Sequence, residues 1–138
     1  MVKSNTQVFL SYSQRDQRVA RSFVRALEQH GLSVWYDDLI PSGSDFAKAI
    51  SDALKNSTAM IVLLSPDYVA SQLGKREIEY ALTRPRFENR VFPVLVRPTR
   101  EVPWILREFL WVDATKNRRK ATDDLVQALR SQIEVGKT

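Results

Sequence analysis

Apolar and polar positions along the chain fall into two alternating kinds of segment. Short runs rich in β-branched and aromatic residues, QVFLSY (7–12), SVWY (33–36), AMIVLL (59–64), VFPVLV (91–96) and FLWV (109–112), have the composition of strands buried on both faces. Between them, apolar residues recur at helical spacing. Asp16 is placed to cap a helix running to about His30, with Val19, Phe23, Ala26 and Leu27 on one face and Gly31 as its stop. A second helix over about 44–55 turns Phe46, Ala47, Ile50, Ala53 and Leu54 inward, with Ser44 or Asp45 near its cap. A third holds SQLGKREIEYAL (71–82). After a proline-marked segment from Pro103 to Glu108, a last helix over about 119–134 presents Leu125, Val126, Leu129 and Ile133 to the core. This alternation predicts an α/β fold: a flavodoxin-like three-layer sandwich whose five parallel strands run in the order 2-1-3-4-5, with helices on both faces.

The third helix separates two glutamates. At about 100° per residue, Ala70, Gly74, Ile78, Ala81 and Leu82 gather into one apolar stripe, and Glu77 lies on its border. Glu79 projects away from the stripe, with Arg76 three and Lys75 four residues earlier as surface ion-pair partners. Glu77 has no basic residue at those spacings. A carboxylate in that position is either a side chain reaching out to solvent or a site residue with a raised pKa.

A chain of 138 residues with 43% apolar content suits one domain with one core, here taken as residues 1–138. The absence of cysteine excludes disulfides, thiolate metal sites and cysteine nucleophiles, and the single histidine, His30, sits at a helix end where it is structural. No metal is expected. No signal-like segment or membrane-length apolar run is present, so a cytoplasmic location without membrane contact is expected. The net charge of +5 gathers in RPRFENR (84–90) and NRRK (117–120), but these runs are short and carry little aromatic interleaving beyond Phe87. They read as solvated faces rather than a nucleic-acid surface.

Ligands in sheets of this kind bind beyond the carboxyl ends of the strands. The loops there are polar: SYSQRD (11–16), YDDLIPSGSD (36–45) and SPDYVAS (65–71). The second is long and contains Pro41 and Gly43, which suits either a plain connection or a defined, movable loop. GxGxxG and GxxxxGK[ST] are both missing, which disfavours dinucleotide-fold and P-loop chemistry, and the lone histidine disfavours a Ser-His-Asp triad.

Taken in order, VFLSYSQRD, GLSVWYDD with PSGSD, MIVLLSPDYVASQLGKREIEYAL and FPVLV resemble the Toll/interleukin receptor/resistance-protein (TIR) domain, over about Gln7 to Ile133. Some members of that family cleave NAD+, and others are adaptors that act by TIR-to-TIR assembly. In the enzymatic branch the helix after the third strand carries serine, tryptophan, a small residue and a catalytic glutamate. Ser71, Leu73, Gly74, Glu77 and Ile78 fall on that pattern, with Leu73 in place of the usual tryptophan and Gly74 in place of the usual cysteine. The resemblance implies that Glu77 stabilises an oxocarbenium-like transition state as the nicotinamide–ribose bond breaks, with NAD+ as substrate and no resident cofactor. Water would then give ADP-ribose, or the adenine of the same molecule a cyclic product.

Around Glu77, Ser71 and Leu73 are expected to bind substrate, and Trp35, Tyr36 or Tyr12 to supply an aromatic face in place of the missing tryptophan. Ser11, Ser13 and Asp38 are expected either to contact ribose or diphosphate or to cap their loops. Asp37, Pro41, Ser42 and Gly43 are expected to form a moving element that docks other TIR domains into open filaments. The implied setting is immune or anti-phage signalling, within a longer sensor-effector protein. Two competitors remain: a non-catalytic adaptor, and a nucleoside N-deoxyribosyltransferase-like enzyme. A response-regulator receiver is disfavoured because Leu64 and Ser65 stand where a phosphoacceptor aspartate would be.

Overall fold

The computed structural model describes residues 7–40, 42–109 and 111–137, with side chains through residue 132. Five strands, β1 (Gln7–Ser11), β2 (Ser33–Trp35), β3 (Ala59–Leu64), β4 (Val91–Leu95) and β5 (Val112–Asp113), form one parallel sheet in the order β2-β1-β3-β4-β5. The predicted sandwich and its strand order are therefore observed. β3 lies at the centre, and all six of its residues are buried, because helices cover it from both sides.

Alternate strand residues feed two cores. On one face Val8, Leu10, Ile61 and Leu63 pack with Phe23 and Leu27 of α1 (Gln17–Gln29) and Leu125 and Leu129 of α6 (Arg118–Lys137). On the other, Phe9, Met60, Val62 and Leu64 meet Ile50 and Leu54 of α2 (Phe46–Lys55). This second core also takes Tyr68 of α3 (Pro66–Val69), Ile78 of α4 (Gln72–Leu82) and Leu106 of α5 (Trp104–Arg107).

Several helix boundaries differ from the sequence pattern. α2 is capped by Asp45, which accepts from the Lys48 amide, but Phe46 and Ala47 in its first turn are exposed, and inward packing starts at Ile50. The predicted stripe of the third helix is broken at its start: Ser71 caps α4, Ala70 lies outside it and is exposed, and Leu82 at its far end is exposed as well. Ile133 lies outside the described side chains.

The fifth strand covers Val112 and Asp113 rather than 109–112; Phe109 precedes it, Trp111 is exposed, and Leu110 lies outside the described residues. Pro93 explains its shortness. The amide of Met60 bonds to Arg90 and that of Val96 to Leu64, so even-numbered residues of β4 carry the bonds to β3 and odd-numbered ones face β5. Proline at 93 removes a donor on that outer side, so pairing with β5 is confined to Val94 and Leu95.

The basic run 84–90 is also not simply solvated. Arg86 donates to the carbonyls of Ser57 and Leu54 and to the Tyr80 hydroxyl, while Phe87 is buried beneath it. In the run 117–120, Asn117 caps α6 by accepting from the Lys120 amide, and Lys120 pairs with Asp124.

Candidate active site

The carboxyl ends of β1 and β2 and the start of α4 meet around Glu77. Ser11 is the last residue of β1 and is buried, and its hydroxyl donates to Glu77 Oε1. Glu77 is 7% exposed, so it sits in the wall of the cleft rather than at a solvated border. Burial pushes its carboxyl up to about 7; the Ser11 hydrogen bond opposes that shift, and the nearby Asp37 charge adds to it. Glu79 is exposed, and the ion pairs among the described residues include none to Lys75 or Arg76, contrary to the sequence expectation.

The cleft over Glu77 is lined by Ser11, Tyr12, Trp35, Asp37, Ser71 and Leu73, on a floor of Phe9, Leu10 and Gly74. Trp35 stacks on Phe9 with ring centroids 5.1 Å apart, which fixes its plane against the sheet. Leu73 is 41% exposed at the rim. Tyr12 donates its hydroxyl to Asp37 Oδ1, and Gln14 donates to Asp37 Oδ2 at 2.7 Å, so the start of the second loop is tied down across the entrance. About 20 Å³ remains free inside, enough for one water and far too little for a nucleotide. Wider depressions of about 480 Å³, lined by Phe92, Trp111, Asp113 and Lys116, and of about 680 Å³, lined by Pro66, Val69, Lys75 and Glu101, do not include Glu77 in their walls.

Eight of the residues singled out from sequence thus converge: Ser11, Tyr12, Trp35, Asp37, Ser71, Leu73, Gly74 and Glu77. Others do not. Ser13 caps the turn at Gln14–Asp16, accepting from the Arg15 amide. Tyr36 packs against the core on the opposite face of the sheet. Asp38 accepts from Gln17 at 2.7 Å and from Arg21 at 2.8 Å, which turns it toward α1 and away from the cleft. Ser42 and Gly43 are exposed in a turn that Gly43 closes at φ +85°, and Pro41 lies outside the described residues. Ser71 lines the cleft, but its hydroxyl is already engaged with the Gly74 amide at 3.1 Å.

Two features escaped the sequence reading. Asp16 occupies the N-cap position of α1 without capping it. Its buried carboxylate instead accepts from Ser65 at 2.6 Å and from Arg97 at 2.9 Å, and Arg97 reaches on to Asp67 at 2.7 Å, so the loops after β1, β3 and β4 are clamped together. The second is Tyr68, wholly buried behind Glu77 with its hydroxyl 2.6 Å from Ser11 Oγ. A signal for it was available: Ser65 followed by Pro66 is a helix start that places Tyr68 one turn in.

In comparison with known families, residues 8–130 match the model of the TIR domain. The chain belongs to the TIR domain family. This TIR domain is 34% identical over 95 residues to a Methanobrevibacter olleyae protein named a probable 2′ cyclic ADP-D-ribose synthase, an alignment covering 67% of the chain and 28% of that protein. It is 30% identical over 78 residues to the 2′ cyclic ADP-D-ribose synthase BtTIR of Bacteroides thetaiotaomicron, covering 55% of the chain and 27% of that protein. The chain therefore spans under a third of the length of the curated relatives it matches. Among solved structures, the TIR domain of the Toll-related receptor TRR-2 from Hydra magnipapillata superposes with a TM-score of 0.74 at 28% identity, covering 89% of this chain and 97% of that one. A metazoan TIR-STING receptor from C. gigas shares the fold, with a TM-score of 0.75 at 24% identity over 94% of this chain and 41% of its own. Family membership sets aside the N-deoxyribosyltransferase-like reading. No helix among the described residues is long and apolar enough to cross a membrane.

Proposed function

We propose that this TIR domain cleaves the nicotinamide–ribose bond of NAD+, with Glu77 as the catalytic residue and self-assembly as its activator. One observation carries the reading: a buried carboxylate at a strand-end cleft, one oxygen held by Ser11, beside Trp35. Nicotinamide leaves as a neutral molecule, so the departing group requires no acid. The positive charge that develops on the ribose is met by the ionised Glu77 in a poorly solvated wall, where its field is strong.

The names of the two relatives support a cyclic product. Their 2′ locant is that of a ribose hydroxyl, so we favour ring closure on a ribose oxygen over closure on adenine. The C1–N bond breaks with its electron pair going to nicotinamide, a C–O bond forms at the same carbon, and the hydroxyl proton passes to Glu77 or to water. With its carboxyl near 7, Glu77 is suited to receive that proton.

Closure of the cleft is the observation that favours the adaptor reading. Both readings are separated by incubating the purified domain with NAD+ over a wide range of protein concentrations and measuring nicotinamide and nucleotide products. We expect nicotinamide release that depends on Glu77. A domain that assembles and releases none is an adaptor.

A further inference from the structure

The hydroxyls behind Glu77 form a chain with a direction. Ser11 has one proton, and while Glu77 is ionised that proton points to Oε1, since a carboxylate only accepts. Ser11 Oγ must then accept from its other neighbour, the Tyr68 hydroxyl at 2.6 Å. Tyr68 has a second acceptor within reach, the Gly74 carbonyl at a weaker 3.4 Å. Once Glu77 is protonated two bonds can reverse, Glu77 donating to Ser11 and Ser11 to Tyr68, and the freed Tyr68 proton turns to the Gly74 carbonyl. Neither protonation state strands a buried polar group.

Among the described residues Oε2 of Glu77 has no hydrogen-bond partner, and the one fully sealed side-chain polar atom without a partner there is Thr58 Oγ1, so Oε2 keeps access to the cleft. The chain therefore holds one oxygen and presents the other. Its geometry rests on Gly74. A Cβ there would lie 2.9 Å from Tyr68 Cζ, closer than real side chains tolerate, and a tight 3.0 Å from Cε1 and 3.2 Å from the hydroxyl.

We infer that Tyr68 is a positioning residue for Glu77, acting through the Ser11 hydroxyl, and that the missing Cβ at Gly74 is what admits its ring. The inference rests on the proposed NAD+ cleavage for its use, but not for its test. Three groups besides Ser11 bear on the titration of Glu77: the Tyr68 hydroxyl from α3, Asp37 from the second loop, and Tyr12, which donates to Asp37. Burial holds both tyrosines far above the ordinary phenol range, so they are neutral donors throughout, and Asp37 is common to all the variants.

The test is carbon-13 NMR titration of the Glu77 carboxyl in labelled protein, assigned by Glu77→Gln, with nicotinamide release recorded from pH 5.5 to 9. Tyr68→Phe keeps the ring and loses the hydroxyl. Its titration midpoint should move alkaline, lowering kcat at pH 6 about threefold, with KM and the rate at pH 9 little changed. Ser11→Ala should do more, about tenfold at pH 6. Gly74→Ala should act in the same direction, and its effect should shrink in the Tyr68→Phe background, where the ring carbons that a Cβ meets remain but the hydroxyl it would displace is gone. A moved midpoint in a protein that leaves NAD+ intact upholds the positioning chain and sinks the proposed function instead. An unmoved midpoint in folded Tyr68→Phe, or a Gly74→Ala effect on the midpoint that is undiminished without the Tyr68 hydroxyl, overturns the inference.

Discussion

A buried carboxylate whose proton leaves near pH 7 ties catalysis and stability to the same event. Between the ordinary 4.5 and about 7, folded Glu77 keeps a proton that the unfolded chain has released. Stability is therefore at its fullest below the unfolded value and falls as pH rises through that window, by up to about 3 kcal/mol. The proposed catalysis needs the ionised form, so activity should rise across the pH range in which stability declines, with an acid limb midpoint near 7. Glu77→Gln removes charge at constant size. It should abolish NAD+ cleavage, by at least about 100-fold, yet melt several degrees above the parent at pH 8, with the gap closing toward pH 4. Glu79→Gln should be nearly silent in both assays, since that residue is exposed and has no ion pair to Lys75 or Arg76. Leu73→Trp should fold and bind NAD+ more tightly by roughly 0.5–1.5 kcal/mol, as titration with a non-cleavable analogue would measure, because the added ring stands at the rim opposite Trp35.

At the scale of elements, the sequence made the sheet and the convergence on Glu77 legible and concealed the connections. Alternation and right-handed crossovers favoured the flavodoxin-like strand order, and helical periodicity set Glu77 apart from Glu79 without any partner being known. What stayed hidden depends on residues distant in sequence. Asp16 reads as a helix cap because aspartate at that position usually is one, but Ser65 and Arg97, 49 and 81 residues away, recruit its carboxylate inward. Asp38 looked like a loop ligand until Arg21, one turn into α1, claimed it. Phe46 reads as core by spacing alone and is left outside because packing of α2 begins only at Ile50.

The Asp16 clamp gives a sharp contrast between its two ends. Asp16→Ala leaves the buried Ser65 hydroxyl proton without its acceptor, although the Tyr68 amide still donates to that oxygen, and should cost about 2–3 kcal/mol in denaturant unfolding. Asp67→Ala removes only the half-exposed end of the same arginine bridge and should change stability by under about 0.5 kcal/mol.

Under the proposed activation by assembly, the decisive quantity for the whole molecule is how readily Asp37, at the start of the second loop, is released from the cleft. A neighbouring domain that binds the open loop shifts the equilibrium toward it, so specific activity should climb with protein concentration or on a crowding surface. Activity constant across a wide dilution series, in a protein that sediments as a monomer throughout, would exclude assembly as the activator. Gly43→Arg should suppress the concentration-dependent part while leaving the fold intact. A side chain at 43 meets nothing within 4 Å, and its left-handed backbone adds a strain of about 1 kcal/mol.

The hydrogen bond from Tyr12 to Asp37 across the entrance also sets how the domain idles. With room for one water over Glu77, turnover in a lone molecule is limited to the fraction of time the entrance stands open, whatever the chemistry beneath could achieve. Each 1.4 kcal/mol of closure lowers that leak about tenfold. If the domain cleaves NAD+ as proposed, its host tolerates it only if that leak is small. The Tyr12 hydroxyl thus works as a safety catch: Tyr12→Phe should raise the concentration-independent consumption of NAD+ severalfold, and cells expressing it should show depleted NAD+ before any signal arrives.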